Sequence, residues 1–109
     1  MRHIVFGLGA IGSNLLSQLI QIDPEGEFYG VDYDKVEERN LGTQAYLTPH
    51  IGMPKANAMQ VILNMKKRGV KYTPVNKKIE NFHDSNIGMY TQKDTILYDC
   101  FDNAESRKL

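Results

Sequence analysis

HIVFGLGAIGSNLLSQLIQI, residues 3–22, is the stretch on which the fold turns. Ile4, Val5 and Phe6 form a short apolar, partly β-branched run that leads straight into Gly7-Leu8-Gly9-Ala10-Ile11-Gly12. Beyond the glycines, Ile11, Leu15, Leu16, Leu19 and Ile20 recur at helical spacing. Strand, tight turn and helix follow from that order. A G-x-G-x-x-G run between a strand and a helix has a physical reason. The first glycine allows the turn, the second lets backbone amides approach a phosphate, and the third lets the helix pack closely on the strand. The helix N-terminus adds partial positive charge, so this loop is expected to bind phosphate or a nucleotide.

Working outward, Asp23-Pro24-Glu25-Gly26 stops the helix, because proline pushes the residue before it out of the helical region. EFYGVD, residues 27–32, reads as a second strand. Pro54 suits the first turn of another helix, in which Ala56, Met59, Ile62 and Leu63 share a face, and Lys66, Lys67, Arg68 and Gly69 mark its end. VKYTPV, residues 70–75, alternates, and Pro74 puts that strand at a sheet edge. TILYDC, residues 95–100, is a continuous apolar run of the kind expected in a strand buried on both faces. Residues 84–92 read as a loop or short helix, and NAESRKL, 103–109, as a helix just begun.

The element order predicts an α/β fold: a Rossmann-like parallel sheet of strand order 3-2-1-4 with helices on both faces. An apolar fourth strand left at the sheet edge would invite pairing with another chain. A second copy or a complementing chain is therefore expected to cover it, unless these 109 residues belong to something longer.

Composition narrows the function classes. The chain has 109 residues, enough for one small domain, and 13 basic residues balance 13 acidic ones. That balance supplies no field to draw in nucleic acid or an anionic membrane, so any phosphate binding must be local. Cys100 is the only cysteine, which excludes an internal disulfide and a paired-thiolate zinc site and makes the cytosol the default expectation. No apolar stretch approaches the length of a membrane span. His3, His50 and His83 have no metal-ligand spacing and are expected to be structural or surface residues.

Asp32 lies twenty positions beyond Gly12 at the end of the second strand, where an acid can accept hydrogen bonds from ribose hydroxyls. To this point the pattern suits an NAD-dependent oxidoreductase equally well. Four further pieces separate the two readings: Asp32-x-Asp34-x-Val36, Asn40-Leu41-x-x-Gln44, Ile51-Gly52-x-Pro54-Lys55-Ala56, and Asp99-Cys100-x-Asp102-Asn103. In order and spacing, over nearly the whole chain, these pieces resemble the ThiF/MoeB family, the adenylating domains related to ubiquitin-activating enzymes.

The resemblance implies that residues 1–109 form the nucleotide-binding, N-terminal part of such a domain. It implies binding of ATP with magnesium and transfer of AMP to the C-terminal carboxylate of a ubiquitin-like or sulfur-carrier protein. By matching position, Gly7, Gly9, Ala10, Ile11 and Gly12 would support the nucleotide, Asp32 the ribose, Asn40 and Lys55 the phosphates, and Asp102 the magnesium. Asp34, Gln44 and Asn103 also fall on family positions around the nucleotide. Joining two anions demands charge neutralisation and alignment, which Asn40, Lys55 and Asp102 are placed to provide. Plainer readings exist: Asp34 as a turn aspartate capping local backbone, and Asp99 and Asn103 as ordinary strand-end and cap residues. Cys100 reads as a small buried apolar residue, not a thioester cysteine.

The pattern departs from the family at Thr43, where arginine is usual, and mildly at Ala10, where glycine is commoner. Loss of one cationic phosphate donor costs about 3–4 kcal/mol of transition-state stabilisation. The arginine-bearing N-terminal arm of many relatives and the C-terminal groove for the carrier's tail are expected to be missing from this segment. Two alternatives therefore stand beside the adenylyltransferase: a non-catalytic ThiF-like binding or regulatory subunit, and an NAD-dependent oxidoreductase domain.

Overall fold

A computed structural model describes residues 1–78 and 94–101. Four parallel strands, β1 (Arg2–Phe6), β2 (Glu27–Val31), β3 (Lys71–Val75) and β4 (Thr95–Asp99), form one sheet in the order β3-β2-β1-β4. Two α-helices, α1 (Ala10–Ile22) and α2 (Lys55–Lys66), connect β1 to β2 and β2 to β3. The predicted α/β class, parallel sheet and strand order are those of the protein, whereas helices on both faces are not seen among the described residues.

Register and pleat assign the sheet's faces. Val5 stands opposite Gly30 and His3 opposite Phe28, so these residues share one face, while Ile4, Phe6, Tyr29 and Val31 share the other. The first face carries the main core: Val5, Leu8 and Phe28 pack with Leu16, Leu19 and Ile20 of α1 and with Ala56, Met59, Ile62 and Leu63 of α2. Each fully buried Leu or Met side chain there contributes about 1.5–3 kcal/mol. Ile4, Phe6 and Val31 form a smaller buried cluster on the second face. Among the described residues, both α-helices lie on the first face.

Helix boundaries follow the sequence chemistry. α1 ends at Asp23, just before Pro24, with the Asp23 N–H donating to the Leu19 carbonyl. Pro54 caps α2, whose last turn holds Lys66, and Gly69 lies beyond it at φ +81°. Ile11, expected on the buried stripe of α1, is instead 59% exposed, and the buried face begins at Gly12 and Ser13. The reason is the glycine itself: with no Cβ, position 12 is the one that can press against the strand.

β4 corrects another expectation. It lies at the sheet edge as expected, paired only with β1 among the described residues, but Ile96 and Leu97 are 36% and 44% exposed. A continuous apolar run signals burial on average; it does not reveal whether anything packs on the strand's faces. β3, with Pro74, occupies the other edge as its proline requires. His3 and His50 are buried structural residues: His3 Nε2 lies 2.9 Å from Asp23 Oδ2 and its Nδ1 lies 2.8 Å from the Tyr98 hydroxyl, and His50 Nδ1 accepts the Leu47 N–H at 2.8 Å. Cys100 is buried, as expected. His83, the segment 84–92, Asp102, Asn103 and the rest of 103–109 lie outside the described residues.

Candidate nucleotide site

The site is assembled at the carboxyl ends of the parallel strands, the edge where ligands gather in open α/β sheets. Gly7 leaves β1 at φ +91°, donating its N–H to the Val31 carbonyl at 2.9 Å. A Cβ at Gly7 would stand 2.9 Å from the Phe101 nitrogen, and one at Gly12 would run into the Gly7 carbonyl oxygen. Both positions therefore admit only glycine. Gly9 caps α1 without a side chain, leaving the first amides of the helix with no side-chain acceptor.

Asp32 follows β2 and is 6% exposed. Its Oδ2 accepts the Leu8 N–H at 2.7 Å, and its Oδ1 accepts the Asp34 N–H at 2.7 Å. One carboxylate thus stitches the glycine loop to the turn after β2. Burial pushes the Asp32 pKa above its ordinary value, although the two amides and the Lys55 charge pull the other way. Each oxygen keeps a second lone pair for a further donor. Asp34 does not cap its own turn through its side chain; Asp32 caps it, and the Asp34 carboxylate is exposed.

Asp34 contributes through its backbone. Its carbonyl accepts the Lys55 N–H at 2.9 Å, while the Val36 N–H donates to Met53 at 2.8 Å and the Gly52 N–H to Val36 at 2.9 Å. This short pairing, with Lys35 bridged to Pro54, holds the start of α2 against the turn that follows Asp32. Lys55 is thereby carried into the site, 8% exposed. Among the described residues its ammonium has no ion-pair partner. Its charge acts on nearby Asp32 without forming a direct ion pair, and a lysine so largely buried is suited to receive a further anion.

Asn40 closes the short 3-10 turn Glu38–Asn40 and is buried, its Oδ1 accepting the Glu37 N–H at 2.7 Å. Gln44 donates its N–H to the Asn40 carbonyl at 3.2 Å, and its buried Oε1 has no hydrogen-bond partner among the described residues. Thr43 is exposed. Arg39, the nearest cation in sequence, is paired in solvent with Glu37 at 2.7 Å.

Three residues that the sequence reading missed tie this loop down. The buried Ser13 hydroxyl donates to the Gly9 carbonyl at 2.6 Å and accepts the Ala45 N–H at 3.1 Å. Asn14 Nδ2 donates to Thr43 O at 3.1 Å and to Ala10 O at 2.6 Å. The Tyr46 hydroxyl donates to Leu8 O at 2.6 Å, and burial drives its pKa far above the ordinary tyrosine value. The Asn40–Tyr46 loop is thus moored to the glycine loop and the first turns of α1. No cluster of three or more His, Cys, Asp or Glu able to hold a metal ion occurs among the described residues. None of these helices is long and apolar enough to cross a membrane.

The sequence model of the ThiF family matches residues 1–109. Among solved structures, the E. coli tRNA N6-threonylcarbamoyladenosine dehydratase TcdA in complex with AMP superposes with a TM-score of 0.77 at 19% identity, over 97% of this chain and 43% of that one. Its complex with ATP gives 0.73 at 20% identity, over 94% and 41%. E. coli MccB with ATP gives 0.69 at 20% identity, over 80% of this chain and 26% of MccB. At such identities the likeness establishes a shared fold. The chain spans about two fifths of the TcdA length and about a quarter of MccB. No curated protein matches the sequence significantly.

Proposed function

The chain belongs to the ThiF family, and on that premise we propose that it binds ATP at the carboxyl edge of its sheet. We propose further that, as the nucleotide-binding part of an adenylyltransferase, it joins AMP to the C-terminal carboxylate of a ubiquitin-like or sulfur-carrier protein. The observation that carries this reading is Lys55: a largely buried lysine with no ion-pair partner among the described residues, at the sheet edge that also carries a glycine loop whose helix offers uncapped amides. A triphosphate answers both needs at once. The neighbours' complexes with ATP and AMP support the same ligand class.

In this reading the glycine loop and the first amides of α1 cradle phosphate, Lys55 and Asn40 offset its charge, and Asp32 accepts from the ribose through its remaining lone pairs. The orphaned Gln44 Oε1 offers an acceptor to the same ligand. Magnesium, held by Asp102 together with phosphate oxygens, would supply further neutralisation as pyrophosphate leaves. Titration calorimetry with ATP and magnesium tests the binding step. Wild type should bind, Lys55→Ala should bind at least about tenfold more weakly, and NAD should bind less well than ATP. A folded wild-type chain that ignores ATP would end the proposal.

Thr43 favours a second reading, a non-catalytic ThiF-like subunit. Its loop is already moored by Asn14 and Ser13, so a side chain at 43 is displayed from a fixed backbone, yet that side chain carries no charge. Restoring the cation by Thr43→Arg separates the two readings. ATP–pyrophosphate exchange should rise by about a hundredfold or more if the site is a weakened enzyme. It should stay at background if the chain is a scaffold.

A further inference from the structure

Tyr33 is the one exposed aromatic side chain among the described residues, 60% accessible, and it follows directly on Asp32. The ammonium of Lys78, three positions beyond the end of β3, lies over its ring at 5.1 Å from the centroid. Asp32 donates its N–H to the Val75 carbonyl at 3.1 Å, so the chain leaving β2 stays joined to the end of β3 at this rim. The glycine loop leads from β1, Asp32 follows β2, and Lys78 lies beyond β3.

A nucleotide bound as described above has a fixed direction. Its phosphates sit at the turn after β1, and its ribose lies one strand over, about 4.8 Å away, at the end of β2. The base is attached on the side of the ribose away from the phosphates, so it extends toward the rim shared by β2 and β3. We propose that Tyr33, backed by the Lys78 ammonium, is the platform on which the purine ring of that nucleotide stacks. The inference rests on the ATP reading and adds to it the residue that receives the base. An aromatic ring with a cation over one face can take a second planar group on the other, which removes apolar ring surface from water on both partners. Stacking tolerates any base, so the platform adds affinity for nucleotides over inorganic phosphates without selecting the base through hydrogen bonds.

Because the sequence contains no tryptophan, Tyr33→Trp introduces a single fluorescent reporter at the proposed contact. Saturating ATP should quench or shift that emission, whereas inorganic triphosphate should leave it as it was. By calorimetry, Tyr33→Phe should bind ATP within about twofold of wild type and Tyr33→Ala about tenfold or more weakly. Wild-type affinity in Tyr33→Ala, tryptophan emission indifferent to saturating ATP, or an equal response to inorganic triphosphate overturns the platform while leaving ATP binding intact. Failure of the wild-type chain to bind ATP at all removes both.

Discussion

Asp32 is held as an acceptor by two backbone amides in a place where burial disfavours its charge. The two effects separate on substitution. Asparagine keeps one acceptor oxygen but turns an N–H₂ toward the second amide, leaving a buried donor unmet at about 1–3 kcal/mol. Asp32→Asn should therefore lower stability by roughly that amount in urea titrations. The pH dependence has an unusual sign. The Asp32 pKa is raised on folding, so its titration contributes stability that is fully present below the unfolded value of 3.8 and is lost as pH rises through the folded value. The gap between wild type and Asp32→Asn should thus be wider near pH 4 than near pH 7. A gap that widens with rising pH would mean that the amides outweigh burial. Asp23 is the contrasting case, its pKa lowered chiefly by the hydrogen bond from His3 and further by the N-terminal ammonium.

The elements were legible in the sequence to very different degrees, and physics accounts for the difference. The β1-loop-α1 unit was readable apart from Ile11, because the positive φ of Gly7 and the contact of Gly12 with the Gly7 carbonyl are demands made within a few residues of chain, and such local demands leave a fixed spacing. Pro74 likewise announced an edge strand through its own missing donor. Asp32 and Lys55 were found, but not the backbone pairing of 34–36 with 52–55 that brings them together. Ser13, Asn14 and Tyr46 left no signal. Each reaches a partner 29 to 38 residues away through one polar atom, and an isolated Ser, Asn or Tyr has no period to betray such a bond. The exposure of β4 was misread for a related reason: TILYDC states that its side chains are apolar, and its place at the edge was expected, but the run does not state what packs on its faces.

On the scale of the molecule, the sheet's two edges differ in kind. β3 presents Lys71 and Pro74, a cation and a residue with no N–H, both of which discourage a further strand. β4 presents Ile96 and Leu97, partly exposed on opposite faces, with β1 as its only strand partner among the described residues. With formal net charge zero, the chain has no overall repulsion to keep copies apart at neutral pH. These facts lead us to expect that the chain, on its own, associates with itself through β4. In sedimentation velocity runs over a concentration series, wild type should show growing populations of dimer or larger species, and Leu97→Lys should stay monomeric at the same concentrations. Met65→Lys is the control, since Met65 is 82% exposed on α2 and distant in kind from any strand edge. If Met65→Lys disperses the assemblies as well as Leu97→Lys does, general solubility and not the edge governs association. A wild-type chain that is monomeric throughout removes β4 as a self-pairing edge.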